Sequence, residues 1–312
     1  MKVVVTGGAG FIGANLCRLL VGRSEVDDVV VVDDLSTGAA ANLEGVGGVR
    51  LVEGTILDPH VLDRAFDGAA AVVHLAARSS VPRSVEHPVA AHAANATGTV
   101  EVLEAVRRAG GPHVVVASSS SVYGANPALP KHEGLAPVPM SPYAASKLAS
   151  ESYALAYAAC YGLDVLAFRF FNVFGPLQPP RHAYAAVVPA FVSAAVAGRP
   201  LPVHGDGRQT RDFTYVGTVC AVLLDAVVRR VACATPVNLA FGARVSLLEL
   251  IAELEAVLGH RLPVEHLEAR PGDVRHTQGD DTQLRALFPD ARAVALFDGL
   301  RETVDWFRSR GE

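Results

Sequence analysis

Thr6-Gly7-Gly8-Ala9-Gly10-Phe11-Ile12-Gly13 follows a valine run at 3–5 and opens a stretch of helical character at 11–21. Three glycines, each separated by two residues, lie in that strand–turn–helix setting. Gly7 suits the tight turn, Gly10 a close backbone approach to a pyrophosphate, and Gly13 close packing of helix on strand. The helix start then presents unpaired N–H groups to an anion. Asp33 stands twenty residues past Gly13, at the end of a second valine run at 29–32. There its carboxylate can accept both ribose hydroxyls of a dinucleotide and repel the 2′-phosphate of NADP, so the expected cofactor is NAD. Asp34 reads as a solvated neighbour.

The pattern continues outward from this unit. Apolar runs at 49–52, 71–74, 114–117 and 165–168 join those at 3–5 and 29–32, and they alternate with helix-like stretches at 11–21, 61–66, 91–107 and 143–161. Runs apolar on both faces, separated by helices, predict an α/β fold built on a doubly wound parallel sheet. After Phe171 the rhythm degrades: 175–181 carries three prolines, and 198–207 is rich in Gly and Pro. Ser246 and Glu249 form a capping box for a helix over 247–258. A last helix is expected to start after Asp298, with that residue as its cap. The expected domains are a cofactor-binding unit over 1–174, with a return segment near 209–240, and a smaller C-terminal α/β substrate-binding unit from 175–208 and 241–312.

Composition narrows the function. Half of the 312 residues are hydrophobic and 19% are charged, as in a globular domain. A net charge of -5 argues against a nucleic-acid partner, which needs a basic surface. No apolar run approaches the roughly 20 residues that cross a bilayer, so no membrane partner is expected. The first strand begins without a signal-like segment, which with the other features predicts a cytoplasmic protein. Cys17, Cys160, Cys220 and Cys233 show no C-x-x-C spacing and read as buried free thiols. The eleven histidines include no H-x-x-x-H pair, so no metal is expected.

Tyr143-Ala144-Ala145-Ser146-Lys147 places a phenol and an ammonium at i and i+4 on one helix face. A free tyrosine titrates near 10, so a base near neutral pH needs a shift of about three units, or roughly 4 kcal/mol. One positive charge about 5 Å away, at an effective dielectric near 20, contributes on the order of 3 kcal/mol. Lys147 and an oxidised nicotinamide together are large enough. The segment Ser118-Ser119-Ser120-Ser121-Val122-Tyr123-Gly124 ends the fifth strand, where such sheets place ligands, and a serine hydroxyl there can donate to a substrate oxygen.

TGGAGFIG, HLAA, SSSSVYG, SPYAASK, RFFNVFGP, QTRDF and RPGD occur in this order from Thr6 to Asp273. With these motifs the chain resembles the extended short-chain dehydrogenases/reductases, Rossmann-type enzymes, and within them the UDP-glucose/UDP-N-acetylglucosamine 4-epimerases. The resemblance implies Ser119 as the catalytic hydroxyl, Tyr143 as base, and Lys147 holding Tyr143 and the nicotinamide ribose. It implies cofactor contacts from Phe11, Ile12, Leu35, Thr37, Gly38, Ile56, Leu75, Ala76, Ala77, Asn95, Ser118 and Phe170. Thr55 stands where the family carries an aspartate for the adenine amino group, leaving that contact to its hydroxyl or to Asp58. The nucleotide-sugar substrate falls to Ser80, Asn172, Val188, Arg211, Arg270 and Asp273, beside Ser119 and Tyr143; Arg208 is a further candidate.

The same resemblance bears on the reaction. Related dehydratases carry an Asp-Glu pair where Ser120 and Ser121 stand, and a serine cannot do carboxylate work, which favours 4-epimerisation through a transient 4-keto sugar. Thr277 falls where relatives carry a bulky Tyr or a small residue, so room for a 2-N-acetyl group is expected. Other enzymes on this scaffold remain alternatives: a dTDP-sugar or UDP-glucuronate epimerase, with Arg181 as the cation for the uronate, a reductase or a dehydratase. A non-catalytic NAD-binding regulator is a more distant one. The family also implies a homodimer, formed by the Ala-rich faces of 91–107 and 150–161.

Overall fold

Each apolar run becomes a strand, buried on both faces except at the edge run 49–53, in a computed structural model that describes residues 1–180, 186–268 and 274–310. The strands are β1 (Lys2–Thr6), β2 (Asp28–Asp33), β3 (Val49–Glu53), β4 (Ala71–His74), β5 (His113–Ser119), β6 (Val165–Phe170) and β7 (Val237–Leu239). They form one seven-stranded sheet in the order β7-β6-β5-β4-β1-β2-β3. All six ladders are parallel. The order reverses between β1 and β4, which opens a crevice at the carboxyl ends of these two strands.

Period-two alternation divides the core into two layers. Val3, Val5, Val29 and Val31 pack with Leu16 and Leu20 of the helix Phe11–Val21 and with Val219 and Leu223 of the helix Val216–Arg229. Val4, Val30 and Val32 face Leu62, Phe66, Val102 and Val106, from the helices Pro59–Phe66 and Gly98–Arg108. Ala154 of the helix Pro142–Tyr161 joins this second layer. Each such side chain, fully buried, stabilises the fold by about 1.5–3 kcal/mol.

Two expectations change. The stretch 91–107 is not one helix: Pro88–His92 and Gly98–Arg108 are joined by a π-helical turn, Ala93–Thr97, in which Asn95 is buried. Such a turn inserts one residue and re-aims the side chains around it. The last helix starts at Leu296, with Ala295 at its cap, and Asp298 lies inside the first turn. There its charge complements the helix dipole instead of capping.

Beyond the sheet lie three short two-stranded ladders. Val173–Phe174 pairs with Thr214–Tyr215, Thr210–Arg211 with Val245–Ser246, and Leu201–His204 with Val264–Leu267. The Ser246–Glu249 capping box forms as expected. Leu250, Leu254, Val304 and Phe307 join the same buried cluster as Val3 and Val5, so apolar packing runs without a break from sheet to C-terminal region. No helix among the described residues is long and apolar enough to cross a membrane.

Candidate active site

The glycine loop fills the crevice between β1 and β4. Gly7 has φ +72°, and a Cβ there would lie 2.6 Å from the Ala76 amide nitrogen. A Cβ on Gly13 would lie 2.3 Å from the Gly7 carbonyl oxygen. The helix Phe11–Val21 begins at Gly10 with no side-chain cap, so its first N–H groups are left for a ligand. Half-buried Leu75, Ala76 and Ala77 form the opposite wall after β4. This cradle fits a dinucleotide pyrophosphate.

Asp33 is engaged by the protein's own backbone. One carboxylate oxygen accepts from the Ala9 N–H and the other from the Leu35 N–H, each at 2.9 Å. Burial pushes the carboxyl above its usual range, partly offset by these two donors. The residue therefore ties the glycine loop to the turn after β2, where Leu35 adopts a left-handed φ of +58°. Gly38 backs onto the Ala9 backbone in the same turn, whereas Thr37 is exposed. At the adenine end, the Thr55 hydroxyl accepts from the Leu57 N–H at 3.2 Å, and Asp58 caps the helix Pro59–Phe66 through the His60 N–H at 2.9 Å. Both candidates for the adenine contact are thus engaged in local turns. Ile56 is buried beneath Gly98.

His74, in the HLAA motif, received no role from the sequence. It lies fully enclosed between Thr6 and Thr99, and counting hydrogens orients the whole chain. Thr99 donates its only hydroxyl proton to the Asn95 carbonyl at 2.6 Å. It must therefore accept from His74 Nε2–H at 3.0 Å. His74 Nδ1 is then left to accept from the Thr6 hydroxyl at 2.7 Å, and Thr6 in turn accepts from the Ala76 N–H at 3.4 Å. The chain joins the cofactor loop to the π-helical turn. Burial, helped by the charge of Lys147, pushes the imidazole down to about 3. A histidine kept neutral when folded contributes stability above its unfolded pKa of about 6.5, lost as pH falls towards 3. The melting temperature should fall across that window, and fall less steeply in His74→Asn; equal slopes would count against this assignment.

The helix Pro142–Tyr161 is started by Ser141, whose hydroxyl accepts from the Ala144 N–H at 3.1 Å, with Pro142 at the first position. It carries Tyr143 and Lys147 to the end of β5. The Lys147 ammonium, 5% exposed, donates to the Ala117 carbonyl at 2.6 Å, and burial lowers it to about 8. Ser119 caps the turn Ser120–Tyr123, accepting from the Ser121 N–H at 3.2 Å and the Ser121 hydroxyl at 2.9 Å. Ser119 also lies close enough to the Tyr143 phenol to lower it. The three proposed catalytic side chains thus lie at the end of β5 and on the first turns of the helix that packs against it. Burial pushes the Tyr143 phenol up by more than Ser119 lowers it. The protein groups alone therefore leave the phenol above its ordinary value.

Several predicted contacts are placed differently. The Ser118 hydroxyl is buried and donates to Glu151 at 2.7 Å, so its side chain serves the fold, not the cofactor. Asn95 uses its amide on the Arg78 backbone, at 2.8 and 3.2 Å, and on the Ser146 hydroxyl at 2.9 Å, bracing the cleft from behind. Half-buried Phe170 ends β6. Ser80 caps the helix Val81–Glu86 by accepting from the Arg83 N–H at 3.3 Å.

On the proposed substrate side, a cavity of about 230 Å³ is lined by Asn172, Gln178, Val188, Gln209, Arg211 and Phe213, among others. The Val188 side chain is 2% exposed and packs into the core, so only its backbone, at the start of the helix Val187–Val196, suits a ligand. Arg211 donates to the carbonyls of Thr210 at 2.9 Å and Arg275 at 3.2 Å, while Arg208 sits in a turn closed by Asp206. Asp212, unassigned by the sequence, accepts the Gly279 N–H at 3.0 Å, and its carbonyl accepts from the Asn172 amide at 3.1 Å. Burial pushes its carboxyl up to about 7. It thereby couples Asn172 to the segment carrying Thr277. The Thr277 hydroxyl is buried with no hydrogen-bond partner among the described residues. Arg181, Arg270 and Asp273 lie outside the described residues.

Residues 3–240 match the NAD dependent epimerase/dehydratase family. The chain is 38% identical over 320 residues, covering 100% of both proteins, to a UDP-glucose 4-epimerase of Mycolicibacterium smegmatis. It is 34% identical to a dTDP-glucose 4,6-dehydratase of Streptomyces niveus, over 99% of this chain and 93% of that protein. A UDP-N-acetylglucosamine 4-epimerase from Methanobrevibacter ruminantium, solved in complex with UDP-N-acetylmuramic acid, superposes with a TM-score of 0.93 at 34% identity, over 99% of this chain and 98% of that one.

Proposed function

The chain belongs to the NAD dependent epimerase/dehydratase family, and we propose that within it the protein is a 4-epimerase of a UDP-hexose. The observation that carries this reading is the turn after Ser119. Ser121 donates to Ser119 and Ser120 follows it, so the positions that would need carboxylates for dehydration hold hydroxyls. Ser119, Tyr143 and Lys147 provide for proton transfer at one hydroxyl and for nothing further.

In this reading Tyr143 takes the proton from the sugar C4 hydroxyl and later returns it. Ser119 holds the C4 oxygen and shares the proton with Tyr143. Lys147, fixed to the end of β5 by the Ala117 carbonyl, supplies a positive charge one helical turn after Tyr143 on the same face. NAD, when bound, would supply the reversible two-electron acceptor and, in its oxidised form, a positive charge that favours the ionised phenol. Gly7, Gly10, Gly13 and Asp33 would hold it. Because the C4 hydrogen is removed and given back, the net change is inversion with no net oxidation.

The test is incubation with a panel of UDP- and dTDP-sugars plus NAD, read by NMR for inversion at C4. Loss of water from C6 instead of inversion would overturn the reading. Thr277, small and tied through its N–H to the Thr210 carbonyl at 3.1 Å, next to Arg211 of the cavity wall, supports acceptance of 2-N-acetyl sugars as well as plain ones. Thr277→Tyr should lower kcat/KM for UDP-N-acetylglucosamine at least about tenfold more than for UDP-glucose, through lost volume. An equal effect on both would reject the pocket assignment. Val89 (80% exposed) and Tyr153 (47% exposed) give the helices Pro88–His92 and Pro142–Tyr161 an apolar outer surface suited to a homodimer; a monomer in light scattering would refute that. The four free thiols support a cytoplasmic setting.

A further inference from the structure

Directly behind the catalytic serine lies an ion pair with almost no exposed surface. Arg169 of β6 and Glu151 of the helix Pro142–Tyr161 are 2% and 3% exposed. They meet in a two-pronged contact, with Nε to one carboxylate oxygen at 2.9 Å and a terminal guanidinium nitrogen to the other at 2.6 Å. Taking two charges out of water carries a desolvation penalty that often matches their attraction, so such a pair is weak evidence for stability. Its connections suggest a different use.

Glu151 follows Lys147 by one helical turn and Tyr143 by two, so it belongs to the face that carries the reacting groups. The same carboxylate accepts from the Ser118 hydroxyl at 2.7 Å, and Ser118 immediately precedes Ser119. Arg169 continues to the far end of the turn. Its guanidinium lies 4.6 Å from the centre of the Tyr123 ring, and the Tyr123 hydroxyl donates to Asn238 of β7 at 2.7 Å. Tyr123 closes the turn Ser120–Tyr123 that Ser119 caps. One ion pair therefore grips both ends of the loop carrying Ser119, and the grip is anchored on the helix that carries Tyr143.

We propose that Glu151 and Arg169 are positioning residues, a buried clamp that holds the Ser119 hydroxyl in register with Tyr143. Neither touches the substrate or the cofactor; both act through Ser118 and Tyr123. The proposal rests on Ser119 and Tyr143 being the reacting pair, and it is independent of which sugar is turned over.

The experiment follows Tyr143 directly. Tyrosinate absorbance at 295 nm is recorded against pH for the NAD-loaded protein, and the same curve from its Tyr143→Phe counterpart is subtracted. Ser118→Ala removes one hydrogen bond and leaves the ion pair intact. It should raise the Tyr143 midpoint by about half a unit or more, because a loosened Ser119 no longer lowers the phenol. On a sugar that is turned over, kcat should fall about tenfold with KM within about twofold, as expected for misplacement without lost binding. The double variant Glu151→Met with Arg169→Met removes both charges together and should show at least the same shift. Midpoints matching the unsubstituted protein in Ser118→Ala would overturn the clamp, whether or not the double variant folds. A sugar panel without turnover would reject the proposed function and leave the titration to be read by itself.

Discussion

Tyr143→Phe should lower epimerase turnover by about a thousandfold or more while NAD remains bound. In the proposed mechanism the phenol oxygen takes a proton from a substrate hydroxyl with Ser119 and returns it, and general acid–base contributions run to about 10²–10⁴. Phenylalanine keeps the ring and its packing. Lys147 is held by the Ala117 carbonyl and not by Tyr143, so it should stay in place. NAD content is measured by release on denaturation and turnover by NMR. Turnover within about tenfold of the unsubstituted protein would remove Tyr143 from the mechanism, and loss of NAD together with activity would make it a binding residue instead.

The second large effect is expected at the other end of the cofactor. Asp33→Ala should weaken NAD binding by roughly a hundredfold or more, equivalent to about 2.7 kcal/mol. It removes the acceptor proposed for the ribose hydroxyls, and it also leaves the Ala9 and Leu35 N–H groups without their carboxylate. A buried donor left unpaired costs about 1–3 kcal/mol, so the protein without NAD should melt earlier too. Calorimetric titration gives the affinity and a thermal melt gives the stability. With the repelling charge gone, the preference for NAD over NADP should shrink. An unchanged dissociation constant would contradict the ribose assignment; an unchanged melt would contradict the loop-tying role.

Much of the fold was legible because it is written in local spacing. Valine runs flanked by turns can be buried only on both faces, and the helices between them leave a parallel sheet as the arrangement that satisfies every backbone group. The glycine loop was legible for the same reason, since Gly7 turns with a positive φ and Gly13 is denied a Cβ by the Gly7 carbonyl of the same strand–turn–helix unit, whereas the Ala76 backbone that also crowds Gly7 comes from the far side of the crevice. The break at Ala93–Thr97 was not legible. Nothing in an Ala-rich run announces that Asn95 will brace the Arg78 loop, a contact spanning 17 residues. The start of the last helix was misjudged because Asp suits both the cap and the first turn.

The site divides along the same line. Spacing alone paired Tyr143 with Lys147, and distance from Gly13 alone singled out Asp33, because both relations stay within one helix or one βαβ unit. Which of four consecutive serines faces Tyr143 and which faces Glu151 depends on how β5 meets the helix behind it. The protonation of His74 depends on Thr6, 68 residues away, and the grip on Tyr123 depends on Asn238, 115 residues away. The sequence by itself determined a doubly wound sheet, an NAD cradle and a Tyr–Lys pair. Only the tertiary structure decided how those groups are charged and held. Desolvation and hydrogen-bond partners arise from residues distant in the chain, and burial moved Tyr143 opposite to what its neighbour Lys147 alone would predict.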